Sequence, residues 1–408
     1  MKWFSVLMCV GLVIAPNGAV AQITESVEQE TVLQQPAAIL PDDSVASAAP
    51  LPPSPTMDGL QLPPWLMPGE KVELGDRIHD PQVTLATASS PVSRRAAALY
   101  AQAEKLSTSA KSRGDLTDII ELCSAGLADQ PSDELKRQLG RLSGWACNRR
   151  GELLVEEGDE RAAFDDFTRA IATDNGCWAA FHNRAITYAT YGQHEEALRD
   201  FATAIELNPE AVAPYRNRAG LYVQLGRLQD ADADLTAAIA RAAHDGDLRS
   251  LRGDVYSQLG RTDLAANEFD AAVQLGSQTA SALAYHAAIA AQRGNYDQAI
   301  VSYDAALRRD PYHAATYQGV AWLLATCPEA RYRDAQKGLE AARRAQRFGS
   351  PNDPTILDTL AAANANGGDF KLAAIYAEQA IKLAEPPLRS EIERRLKLYR
   401  NREPYRER

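Results

Sequence analysis

The sequence predicts an all-α solenoid of stacked helical hairpins, and three columns of residues carry that prediction. Ala170, Ala204, Ala238, Ala272 and Ala306 stand 34 residues apart, and Ala163, Ala197, Ala231, Ala265 and Ala299 form a second column seven residues earlier. Gly158, Gly192, Gly226, Gly260 and Gly294 form the third. Each unit reads as two amphipathic helices around a turn glycine. Gly or Ala at 151, 185, 219, 253 and 287 lets the helices approach closely, and Phe167, Phe201, Leu235, Phe269 and Tyr303 fill the spaces between them. One such hairpin cannot bury its apolar face alone, whereas a stack can.

Taken in order, residues 1–21 (MKWFSVLMCVGLVIAPNGAVA) read as a secretory signal peptide: Lys2, an apolar run from Trp3 to Ala15, and Ala19-Val20-Ala21 before Gln22. Cys9 follows Met8 inside that run, too early for a lipid-attachment cysteine. The run is too short for a comfortable membrane span, and no other segment has the length or apolarity for one. The mature chain is expected to start near Gln22 and to be periplasmic or secreted. Residues 22–92 are a largely disordered Pro-rich linker, since 11 of the 22 prolines lie between Pro36 and Pro91.

Beyond the linker the chain turns alanine-rich and helical. Residues 93–143 are out of register and read as an N-terminal helical cap; residues 144–387 are the array of about seven repeats; residues 388–408 form a C-terminal capping helix and tail. That last stretch has eight Lys and Arg against four Glu and reads as a solvated helix face. With 408 residues and a net charge of −11, the chain shows no basic face of the kind nucleic-acid binding needs.

The unit from 178 to 211 carries Phe181, Ala185, Tyr188, Gly192, Ala197, Phe201, Ala204 and Pro209, and this pattern resembles the tetratricopeptide repeat. The resemblance implies a right-handed superhelical α-solenoid of that type. The sixth unit departs from the pattern: its alanine columns resume two residues late, at Ala335 and Ala342, which enlarges the turn around Pro328. The last two units and the helix LRSEIERRLKLYR are similar to the ends of secreted bacterial repeat proteins.

Arg150, Arg184, Arg218 and Arg252 occupy the seventh place of successive units, where an apolar residue is usual. Asp166, Asp200, Asp234 and Glu268 follow each of them by 16 residues, with the turn glycine midway. In an antiparallel hairpin this sets both side chains at one height, about 12 Å from the turn. The expectation is a structural ladder of Arg–carboxylate pairs that lapses at His286 and Ser302.

In the family that the sequence resembles, the first helix of each unit lines a concave groove. That implies Arg149, His182, Asn183, Arg216, Asn217, Tyr285, Gln318 and Trp322 as candidate peptide-binding residues. Amides can pair with an extended backbone and arginines can take a carboxylate; the same residues also read as solvated polar groups and packing aromatics.

Cys123, Cys147, Cys177 and Cys327 allow three pairings, or serve as buried small hydrophobes. No CxxC and no histidine cluster suggests a metal, no cofactor motif is present, and no GxSxG, phosphate loop or HExxH suggests catalysis. The chain therefore reads as a non-catalytic scaffold for protein or peptide partners. Two alternatives stand beside this: a structural spacer or assembly subunit of envelope or secretion machinery, and an accessory regulatory or glycan-binding subunit.

Overall fold

The computed structural model describes residues 91–407. The expected signal peptide and nearly all of the expected linker lie outside the described residues. Among the described residues there are 17 α-helices, one short 3-10 turn and no strand. The helices fall into two compact units, residues 91–209 and 210–407, which are taken separately.

The first unit holds α1 (Pro91–Ser107), α2 (Arg113–Ala128), α3 (Asp133–Glu156), α4 (Glu160–Thr173), α5 (Trp178–Thr190) and α6 (His194–Leu207). Helix α1 begins at Pro91, inside the stretch that the sequence assigns to the linker. Helix α3 starts behind Ser132, whose side chain accepts from the Leu135 amide, and runs past residue 144, where the repeat register begins. No proline or turn signal interrupts Asp133–Glu156, so nothing stops that helix at the register boundary. Its buried face joins α1 and α2 in one core with Ala96, Leu116, Ile119, Cys123, Leu139 and Cys147.

The four cysteines at 123, 147, 177 and 327 are free thiols. Burial pushes Cys123 up to about 12 and Cys147 to about 11, which keeps both protonated.

Two glycines show what the repeat demands. A side chain at Gly151 would place its Cβ 2.5 Å from the Phe167 ring as it lies here, so the ring would have to shift to admit one. Gly192 has φ +74; its N–H donates to the Ala189 carbonyl and the next amide, Gln193, to Tyr188, which closes α5.

The second unit holds α7 (Val212–Gln224), α8 (Leu228–Arg241), α9 (Gly246–Gln258), α10 (Thr262–Gln274), α11 (Ala280–Gln292), α12 (Tyr296–Arg309), α13 (Ala314–Thr326), α14 (Ala335–Phe348), α15 (Pro354–Asn366), α16 (Phe370–Leu383) and α17 (Pro386–Arg400). Consecutive pairs form the hairpins. The first helices also touch one another, α9 to α11, α11 to α13 and α13 to α15. Between α13 and α14 the turn is enlarged by the 3-10 segment Ala330–Tyr332. It is held by the Asp334 amide on the Leu324 carbonyl and by Arg333 donating to the carbonyls of Cys327 and Pro328. Helix α17 packs on α16 and sends Leu388, Ile392, Leu396 and Tyr399 into the core of the last hairpin.

Candidate functional site

The arginines of the ladder meet their carboxylates within the hairpins. Arg150 reaches Asp166 with Nε and Nη2, both at 2.7 Å, and Thr117 with Nη1. Arg184 holds Asp200 the same way at 2.7 and 3.0 Å, and Arg218 holds Asp234 with both contacts at 2.8 Å. Each is the planar two-point geometry that a guanidinium offers a carboxylate. Arg184 is also flanked by the rings of Phe181 and Tyr188 at 5.6 and 5.7 Å.

At the fourth rung the longer Glu268 takes one bond from Arg252 at 2.7 Å, while Arg249 approaches its other oxygen at 3.5 Å. At the fifth, His286 Nδ1 and Ser302 Oγ stand 3.1 Å apart, so a histidine–serine hydrogen bond occupies the place of the arginine–carboxylate pair. The first three rungs pair at two points within their hairpins, whereas the fourth leaves Arg252 Nε and Glu268 Oε2 without a hydrogen bond; all are spent on the scaffold.

The eight candidate contact residues are divided between the units: Arg149, His182 and Asn183 lie in the first, the other five in the second. Asn183 is buried and donates to Asn148 Oδ1 at 3.0 Å and to Glu152 Oε1 at 3.4 Å. Arg149 also holds Glu152. Burial lifts the Glu152 carboxyl above its usual range against the pull of Arg149, Asn148 and Asn183. Asn217, Tyr285 and Gln318 are buried, with Tyr285 stacked on Phe269 at 5.2 Å. Arg149, Arg216 and Trp322 are half-buried and keep part of their surface toward solvent.

His182 is 2% exposed and packs against the rings of Phe201 and Trp178. Burial disfavours its imidazolium and pushes its pKa down from 6.5 to about 4. Below about pH 6.5 the unfolded chain takes up a proton that the folded chain refuses, so this contribution to stability is present above that pH and is lost as pH falls toward 4. Between pH 7 and pH 5 the loss is expected to be about 2 kcal/mol. Urea unfolding followed at Trp178 checks it: the pH dependence should flatten in His182→Gln, and an unchanged slope there removes the assignment.

Around Trp322 in the second unit the face of the first helices is already in use. After α17 the chain reverses at Arg402 (φ +61) and continues without helix through residues 403–407. Tyr405 packs against Trp322 with ring centroids 5.9 Å apart. The Trp322 indole N–H donates to Glu407 Oε1 at 2.7 Å, and the Glu407 amide donates to the Thr326 carbonyl at 2.9 Å. Arg406 donates to the Ala325 carbonyl at 2.7 Å and to Asn366 Oδ1 at 2.9 Å. Beneath them, Arg395 lies 5.3 Å from the Trp322 ring and 5.4 Å from Tyr405.

Arg395 itself is buried, 2.7 Å from Asp358 Oδ2 on α15. Sequence reasoning took the basic stretch from 388 as solvent-facing and singled out none of Arg395, Tyr405, Arg406, Glu407, Asp358 or Asn366. The available signal was Asp358 among the apolar residues of Ile356–Ala363, a carboxylate needing a cation. Beside Glu407 a small pocket opens between α11 and α13, lined by Ala288, Gln292, Tyr296, Trp322 and Cys327.

The family model for the tetratricopeptide repeat matches residues 182–247 and 250–314. A search of curated proteins found no match. Among solved structures, the chain is similar to a tetratricopeptide repeat protein from Parabacteroides merdae, at 19% identity over 63% of this chain and 99% of that one, with a TM-score of 0.39. It is also similar to YrrB, described as a TPR protein with an unusual peptide-binding site, at 20% identity over 42% of this chain and 88% of that one, TM-score 0.33. MamA matches at 19% identity over 40% and 94%, TM-score 0.33. The hairpin array is of the tetratricopeptide-repeat type. Proteins of that repeat family are generally non-catalytic protein-interaction scaffolds.

Proposed function

We propose that this chain is exported and acts as a non-catalytic adaptor that binds extended peptide segments of partner proteins on the first-helix face of its second unit. The observation that carries the reading is the seat around Trp322, where helix carbonyls, an indole and Asn366 hold the non-helical residues 405–407 through one backbone amide and their side chains. An extended segment recognised through main-chain bonds and alternating side-chain pockets is a recurring binding mode. Of the five candidates that lie in this unit, Arg216 and Trp322 retain solvent-facing surface and are the ones we keep as contacts. The export part rests on the composition of residues 1–21 and places the partner in the envelope or outside the cell.

The test uses the full chain to capture partners from envelope and secreted fractions, in parallel with Gln292→Arg. Gln292 is exposed at the rim of the pocket, so the substitution should leave the melting temperature unchanged while crowding the face. A partner retained by the parent and lost by the variant is the expected result. Equal retention by both moves the function to the second helices or the ends of the array, which is the spacer reading.

A further inference from the structure

The enlarged turn after α13 has a consequence for the carbonyls at the end of that helix. In the regular hairpins the turn glycine and the residue after it fold back onto the last carbonyls, as Gly192 and Gln193 do on Ala189 and Tyr188. After α13 the chain leaves through Cys327 and Pro328 instead, and Pro328 has no N–H to donate. The last carbonyls of a helix need partners from elsewhere and form the negative end of its dipole. Here residues 401–407 supply them: the Glu407 amide takes Thr326, and the Arg406 guanidinium takes Ala325 and bridges to Asn366 at the end of α15.

The side chains match equally well. Trp322 offers a ring face to Tyr405 and an N–H to the Glu407 carboxylate, while Arg395 supplies positive charge to the rings. Every one of these contacts is non-covalent. The segment joins α17 through a reversal whose Asn401, Arg402 and Glu403 are exposed, and Pro404 biases Glu403 toward an extended backbone. At Arg402 a residue with a side chain is held in the left-handed region, which it enters at a cost. A small pocket lies beyond Glu407, and Gln292 is exposed at its rim, so the segment is bordered by accessible surface on that side.

We propose that residues 403–407 are a built-in occupant of the α13–α15 face, and that a partner's extended segment of the same chemistry binds there by displacing it. That chemistry is an aromatic side chain followed by an arginine and a carboxylate. The inference rests on the peptide-binding reading above and adds to it a competitor and a specificity.

Two measurements test it. In the unmodified chain the Glu407 amide should exchange with solvent at least 10-fold more slowly than an unstructured amide, and an excess of the synthetic peptide NREPYRE should accelerate it. In the full-length variant Tyr405→Ala/Arg406→Ala, folded as judged by its melting curve, fluorescently labelled NREPYRE should bind at least 10-fold more tightly than it binds the parent. Equal binding by both overturns the proposal, as does binding by neither. An unprotected Glu407 amide in the parent overturns it even where the variant fails to fold, and so does a concentration-dependent dimer of the parent that exchanges the segment between two copies. None of these readouts uses the natural partner. Capture of a partner whose affinity is indifferent to the Tyr405/Arg406 substitutions therefore leaves the adaptor reading standing and removes only the competition.

Discussion

Replacing Arg184 by leucine is expected to destabilise the α5–α6 hairpin by about 3–5 kcal/mol, because it strands the Asp200 carboxylate inside the hairpin. Both side chains are about one-tenth exposed, too little for water to take over the lost partner. The double variant Arg184→Leu/Asp200→Leu should recover most of that loss. With both charges gone there is no unpaired ion to solvate, and well-packed apolar residues of similar volume are often as stable as a buried pair. Urea unfolding read at Trp178 reports this hairpin directly. Additive losses in the double variant would show that the two side chains stabilise the hairpin independently. At the His286–Ser302 rung the array already replaces the arginine–carboxylate pair by a histidine–serine hydrogen bond.

A loss of comparable size, about 3–5 kcal/mol, is expected from Arg395→Met, for the same reason and in a deeper place. Asp358 is 3% exposed, and Arg395 meets its two oxygens at 3.1 and 2.7 Å. Burial already raises the Asp358 carboxyl above its usual range, with Arg395 pulling it down and Glu391 pushing it up. Removing the arginine raises it further, so the folded variant gains a proton as pH falls while the unfolded chain is still ionised. The defect is therefore expected to be smaller at pH 5 than at pH 7, and an equal defect at both would show that Asp358 is not the stranded charge. The same substitution removes the cation beneath Trp322 and Tyr405, so exchange at the Glu407 amide should rise as well.

Much of the fold was legible because it is a local property repeated. The apolar spacing of a helix, a glycine needing positive φ and a small residue facing an aromatic ring recur every 34 residues, and each acts within one hairpin. The 16-residue separation of Arg184 and Asp200 is visible for the same reason, since the hairpin's own symmetry sets their heights. In the structure these residues meet at 2.7 and 3.0 Å. The face of the first helices was less legible. Asn183 and Asn217 occupy equivalent places in consecutive repeats, yet each is buried within its own unit, a matter of how neighbouring side chains close over it.

By itself, the sequence determined the helices, their pairing into hairpins and the residues that stand level within each hairpin, because the helical repeat and the turn chemistry act over a few tens of residues. Tertiary structure alone decided that Arg395 turns inward to Asp358, that Arg406 and the Glu407 amide take the last carbonyls of α13, and that Tyr405, Arg406 and Glu407 fill the place against Trp322. Those contacts join residues 37 to 85 positions apart, with no periodic relation between them. Their partners are set by which charges and carbonyls remain unsatisfied once the hairpins have packed.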